Sequence, residues 1–269
     1  MSASNITTNE PLQMLQEVMV AIEGNRNIQN VAVASAAIMI LEWFLTFEME
    51  IALVWKTEWN AMKGIYIASR YLPFINVPIA LIFGLNEGFS VEGCKVLYNC
   101  IIWMFGIGQA AADLVLMLRT WVVWGKTKHM GLFLAACYIV VWVVILIGLA
   151  LQLWIVTYVP SPVPRLMGCI VQNTNVYMTM IYAAATIYYA SMLVLILIPG
   201  ISVWKFGAPA CPSGLERVIY SDGVIFYVYI FVLSLLNLII IVKLPKDYIN
   251  LLMTCVDTLQ LLRAPLIEA

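Results

Sequence analysis

The chain has 269 residues, 63% of them hydrophobic and 11% charged, with a net charge of −1 and a mean hydropathy of +0.94. Soluble domains carry about a quarter charged residues, so a globule built from this chain would lack the polar surface to cover itself. The near-zero charge also leaves no positive field to draw a nucleic acid.

Residues 1–27 form a polar N-terminal tail. Its first 24 residues carry Glu10, Glu17 and Glu23 and no basic residue. A secretory signal needs a basic segment ahead of its apolar core, so none is expected here. The tail reads as a short amphipathic helix leading into an uncleaved first span. Asn5-Ile6-Thr7 is the only glycosylation sequon in the chain.

A membrane span needs about 20 mostly apolar residues. Seven such stretches follow, over roughly 28–47, 61–84, 97–121, 130–157, 176–203, 221–243 and 247–263. The second contains Pro73 and Pro78, and Pro199-Gly200 is expected to bend or end the fifth. The seventh is short and contains Asp257, so a re-entrant or interfacial last helix is the alternative. No period-two alternation over about ten residues appears, as a barrel would require. The expected fold is therefore all-α, a polytopic bundle of seven transmembrane helices. It forms one domain over 28–263, with 264–269 as a short C-terminal tail.

Lys and Arg bias orients such a bundle. With the N-terminus outside, the inner segments carry Lys56, Lys63, Arg119, Lys126, Lys128, Lys205, Arg217 and Arg263. The outer segments carry Arg26, Lys95, Arg165, Lys243 and Lys246. The bias favours this orientation, which leaves the C-terminus inside. Asn5, Cys94 and Cys169 then fall on the outer side, where glycosylation and disulfides are permitted. Glu48 and Glu50 mark the exit of the first span into the inner interface, with Trp55 and Trp59 at headgroup level.

Ionisable groups inside spans are costly and are candidates for function. They are Glu42, Arg70, Asp113, Arg119, Asp222 and Asp257. At 1.5 Å per residue, Arg70 and Asp113 both lie roughly 12–14 Å from the inner ends of their spans. Their equal depth predicts a pair, with Glu42 as the rival partner for Arg70. Such a pair need do no more than set helix register. Arg119 and Asp222, at the inner ends of spans three and six, form a candidate clamp. The plainer alternative puts Arg119 in a basic inner cluster and Asp222 at a helix N-terminus. Asp257 could bind a cation, relay protons or accept a hydrogen bond from Asn237. Cys94 is expected to pair with Cys169, or with Cys100.

Several chemistries lack their residues. Catalytic zinc takes three protein ligands, often His, and His129 is the only one. No GxxxxGK[ST] loop and no GxSxG elbow occurs. No enzyme activity, cofactor or metal is expected.

The segment Glu42–Trp59 also carries a resemblance. An acid, two residues and Leu-Thr (Glu42, Leu45, Thr46) are followed by Glu50 and Trp55, then Lys56 and Trp59. Further on come Arg70-Tyr71, Arg119 in LRTWVVWGK, Gly168-Cys169, Asp222-Gly223 and Asn237. This pattern resembles a family of basidiomycete fungal membrane proteins classed only as a domain of unknown function. Glu42 stands where the family more often has Asp, and the last span fits the family poorly. The resemblance implies a seven-span fungal membrane protein and no particular activity.

The function expected from these readings is a receptor-like seven-helix protein in the plasma membrane or an endomembrane. It would sense a small or lipidic ligand and act on an intracellular signalling partner. A transporter or ion-conducting protein using Arg70, Asp113 and Asp257 is the first alternative. An assembly protein packing through Ala32, Ala36, Gly106 and Ala110 is the second.

Overall fold

The computed structural model describes residues 9–85, 90–159, 170–172, 175–206 and 214–243. Six helices run in chain order: α1 (Asn9–Glu50), α2 (Ala61–Leu85), α3 (Val91–Val123), α4 (Lys128–Ile155), α5 (Asn175–Phe206) and α6 (Gly214–Lys243). All six are long and apolar enough to cross a membrane. In hydrocarbon every backbone group must be bonded within its own segment, which a helix achieves. The chain is therefore a multi-pass helical membrane protein. The seventh span expected over 247–263 lies outside the described residues, as does Asn5.

Where the helices begin and end follows from local chemistry. Asn60 starts α2 by accepting the Lys63 N–H at 2.9 Å, and Ser90 starts α3 by accepting the Gly93 N–H at 3.2 Å. Both satisfy amides that the first helical turn leaves open. At the far end of α3, Gly125 donates to the Val122 carbonyl at 2.9 Å and Lys126 to the Trp121 carbonyl at 3.1 Å. That pattern is a Schellman stop, which needs a left-handed residue after the helix. Gly125 supplies it with φ of 69°.

Several boundaries differ from the sequence-based expectation, since α1 begins at Asn9, α3 at Val91 and α6 at Gly214. The first span does not close near residue 47. α1 stays helical through Glu50 and passes into a π-turn over Ile51–Trp55. Its last carbonyls are taken by the buried Lys63, whose Nζ donates to Thr57 at 2.9 Å and to Trp55 at 3.4 Å. The fifth membrane-spanning stretch ends at Pro199, as expected, although α5 stays helical beyond it to Phe206. A two-stranded antiparallel ladder, β1 (Thr157–Val159) with β2 (Ile170–Gln172), closes one end of the bundle. The sequence reading did not anticipate it.

Helix α3 is the most enclosed of the six. Phenols from three other helices donate to its backbone carbonyls: Tyr138 to Ala110 at 3.0 Å, Tyr188 to Asp113 at 3.2 Å and Tyr227 to Leu116 at 3.0 Å. A helical carbonyl keeps a second lone pair free, so each bond ties α4, α5 or α6 to α3 without opening it. Between α4 and α5 the approach is close at Gly148, where a Cβ would stand 2.8 Å from Ile181 Cγ1. Gly64, on the exposed side of α2, has no such neighbour. Gly148→Val is therefore expected to destabilise the protein by about 1–3 kcal/mol. Gly64→Ala should stabilise it by roughly 0.5–1 kcal/mol. Unfolding midpoints in detergent micelles check both signs.

Candidate functional site

Two buried polar centres stand apart in the bundle. The first joins α1 to α2. Arg70 Nε meets Glu50 Oε2 at 2.8 Å, with both side chains almost wholly buried. Arg70 also donates to the Tyr66 hydroxyl at 3.1 Å and to Thr46 Oγ1. Tyr71 donates to the other Glu50 oxygen at 2.8 Å. Thr46 in turn donates to the Glu42 backbone carbonyl at 2.7 Å. The guanidinium fork and the carboxylate are thus held from both helices, as a buried ion pair must be to offset its desolvation.

This geometry corrects the expected pairing. Arg70 pairs with Glu50, not with Asp113, and Glu42 takes part through its backbone carbonyl rather than its carboxylate. Glu50 ends the first span, as expected, but its side chain is fully buried within the protein. The physical reason is the length of α1. Three more helical residues carry Glu50 alongside Arg70, and Thr46, one turn earlier, falls on the same face.

The second centre lies among α3, α4, α5 and α6. These helices enclose a cavity in which the space open to the centre of a water molecule is about 80 Å³. One water needs about 10–15 Å³ on this measure, so the cavity has room for several waters or a small ligand. Its wall is mostly apolar, with Phe105, Ile145, Leu149, Met178, Ile181 and Leu233 prominent. The polar residues on it are Gln109, Asp113, Tyr182, Tyr189, Ser234 and Asn237.

Three of those polar groups bond to one another. Gln109 Nε2 and the Tyr189 hydroxyl each donate to Asp113 Oδ1 at 3.0 Å, and Gln109 also donates to Tyr189. Ser234 Oγ is 2.8 Å from Thr186 Oγ1. Gln109 Oε1 and the cavity-lining Trp142 Nε1 are buried without a hydrogen-bond partner. A cavity of this kind, apolar with few convergent polar groups, is the usual form of a small-molecule site.

The other expected residues are placed as follows. Asn237 lines the cavity, whereas Asp257, its expected partner, lies outside the described residues. Arg119 is partly buried near the end of α3, and its Nη1 has no hydrogen-bond partner. The side chain of Asp222 lies outside the described residues, and so does the proposed clamp. Cys94 is disulfide-bonded. Cys100 is a free thiol and so is not its partner. Cys169, immediately before β2, lies outside the described residues.

Sequence reasoning missed Gln109, Tyr189 and Tyr188, because among the uncharged polar residues of the spans it singled out only Asn237. The signal was present: an uncharged amide one helical turn before Asp113, in an otherwise apolar run. The tyrosines of α5 carried no comparable signal, since aromatic residues in a span are ordinary.

Comparison with known proteins touches only the first centre. Residues 30–75 match the family model described as "Family of unknown function (DUF6533)", well under half of the chain. No curated protein matches the chain. The matched segment contains Thr46, Glu50, Tyr66, Arg70 and Tyr71, the whole α1–α2 network. It contains no residue of the cavity wall.

Removing one member of a buried pair strands the other charge, at a cost of about 3–5 kcal/mol. Glu50→Gln and Arg70→Met should each show a loss of this order by chemical unfolding in mixed micelles. The double variant should lose less than the two combined. Charge reversal at Asp113 should not be rescued by reversal at Arg70.

Proposed function

We propose that the protein is a receptor-like seven-span membrane protein of a fungus, with its N-terminus outside and its C-terminus inside. It binds a small, predominantly apolar or lipidic ligand in the cavity among α3–α6 and passes the event to an intracellular partner through helix motion. No catalytic step enters this reading. The observation that carries it is the cavity itself, a mostly apolar chamber in which Gln109, Asp113 and Tyr189 are bonded to one another. So apolar a wall favours a predominantly apolar guest. The Glu42–Trp59 pattern supports the fungal affiliation. The Lys and Arg distribution supports the orientation.

A transporter would need its charged residues along one water-filled path. Arg70 and Asp113 do not share one. Arg70 is held against Glu50 between α1 and α2, and only Asp113 borders the cavity. The assembly reading needs free small-residue faces. Gly106 instead packs on Leu149, Ala110 accepts the Tyr138 hydroxyl, and Ala36 packs on Met39 and Val77.

The test sets ligand-dependent G-protein coupling in cells beside ion and solute flux in reconstituted vesicles. Coupling is expected, with Ala185→Phe, which fills the cavity from α5, shifting the half-maximal lipid concentration upward about tenfold or more. Specific flux without coupling would sink the receptor assignment.

A further inference from the structure

Beyond the cavity, toward β1, the interface of α3 and α4 holds a group of buried polar atoms that bond to nothing. They are the hydroxyls of Tyr98 and Tyr158, Oδ1 of Asn99, and both Nε2 and Oε1 of Gln152. Gln152 is fully buried and Tyr98 is 3% exposed. A buried amide or hydroxyl without a partner costs about 1–3 kcal/mol, so this many at one place calls for an explanation.

Helix geometry brings these residues to one end of one interface. Gly106 of α3 packs on Leu149 of α4. Gln152 is three residues beyond Leu149, about 4.5 Å along the axis and on the same face. Ile102 and Asn99 continue the Gly106 strip of α3 in the same direction. The Tyr98 and Tyr158 rings meet edge to face, with centroids 5.9 Å apart. Tyr98, Leu149, Val156, Met178 and Tyr182 belong to one packed cluster. Leu149, Met178 and Tyr182 also line the cavity. The polar group therefore sits directly behind the cavity wall.

Its chemistry selects the guest. The amide and the two phenols both donate and accept, and Asn99 adds an acceptor. The charged residues nearest in sequence, Glu92 and Lys95, are exposed. A guest charge here would be buried without a counter-charge, at large cost. Burial raises the Tyr158 phenol above its ordinary pKa, so it too stays neutral.

We infer that Gln152, Tyr98, Asn99 and Tyr158 form a polar subsite for a neutral hydrogen-bonding group, a hydroxyl or carboxamide. That group is the polar end of the amphiphile whose apolar part occupies the cavity. The inference rests on the cavity being the ligand site and deepens it. The ligand is a neutral amphiphile, such as a fatty alcohol or amide, rather than a fatty acid or an amine. A buried water would use the same chemistry, and the test separates the two.

The full chain in lipid nanodiscs is titrated with 1-hexanol, its isostere n-heptane and hexylammonium, at matched membrane concentrations. The shift of the unfolding midpoint is followed. Hexanol should act at about three- to tenfold lower concentration than heptane, the range of one net hydrogen bond, and hexylammonium should act weakest. Gln152→Leu and, as a milder second variant, Tyr98→Phe should each erase the preference for hexanol while heptane binds as before. Leu149→Trp should abolish binding of both. Equal action of hexanol and heptane, with heptane still blocked by Leu149→Trp, overturns the subsite and leaves the cavity standing. So does a gain in stability from Gln152→Leu with the hexanol preference intact, which would assign the group to water alone. No saturable binding of either probe, with Leu149→Trp silent, overturns the cavity assignment.

Discussion

The ion pair between Arg70 and Glu50 sets conditions that the first third of the structure has to meet. A guanidinium buried among apolar helices cannot be left unpaired, and its partner must come from a neighbouring helix at the same depth. Glu50 can serve only if α1 remains helical three residues past the point where its apolar run weakens. The π-turn at Ile51–Trp55 follows from that requirement, since the chain must then reverse within a few residues. Lys63 answers the carbonyls this reversal leaves open. Its Nζ also lies 4.7 Å from the centre of the exposed Trp59 ring. Each of these features is local, yet each is a consequence of one buried charge.

The remaining helices are organised around α3 by a different device. Three phenols from α4, α5 and α6 donate to its carbonyls, and the Asp113 carboxylate gathers Gln109 and Tyr189. Lipid offers no hydrophobic drive between helices, so packing and interhelical hydrogen bonds must supply it. The tyrosines do both, since the ring fills space and the hydroxyl reaches a carbonyl. The space they leave between them is the cavity. The bundle thus separates a charged contact at α1–α2 from a mostly apolar cavity at α3–α6. The family match falls on the α1–α2 contact alone.

Some of this was legible in the sequence. The apolar runs located six spans, because hydrocarbon imposes length and composition on any span, but not the helical extensions back to Asn9, Val91 and Gly214. Arg70 and Asp113 stood out as intramembrane charges. Their equal depth suggested a pair, but depth is one coordinate and a pair needs three. Which helices touch, and which faces they turn, is decided by packing. The glycine at 148 is an example, since its value lies in Ile181 on another helix. Gln152 is another. Its amide is unremarkable in the sequence and becomes notable only because the fold buries it without a hydrogen-bond partner.

By itself the sequence determined the solvent, the helical class and the cost of each buried charge, because these depend on composition and on run length along the chain. The tertiary structure decided that Glu50 answers Arg70, that Asp113 belongs to Gln109 and Tyr189, and that a cavity remains among α3–α6. These are contacts between residues far apart in sequence. They are settled by the angles and distances at which helices pack, which no one-dimensional pattern records.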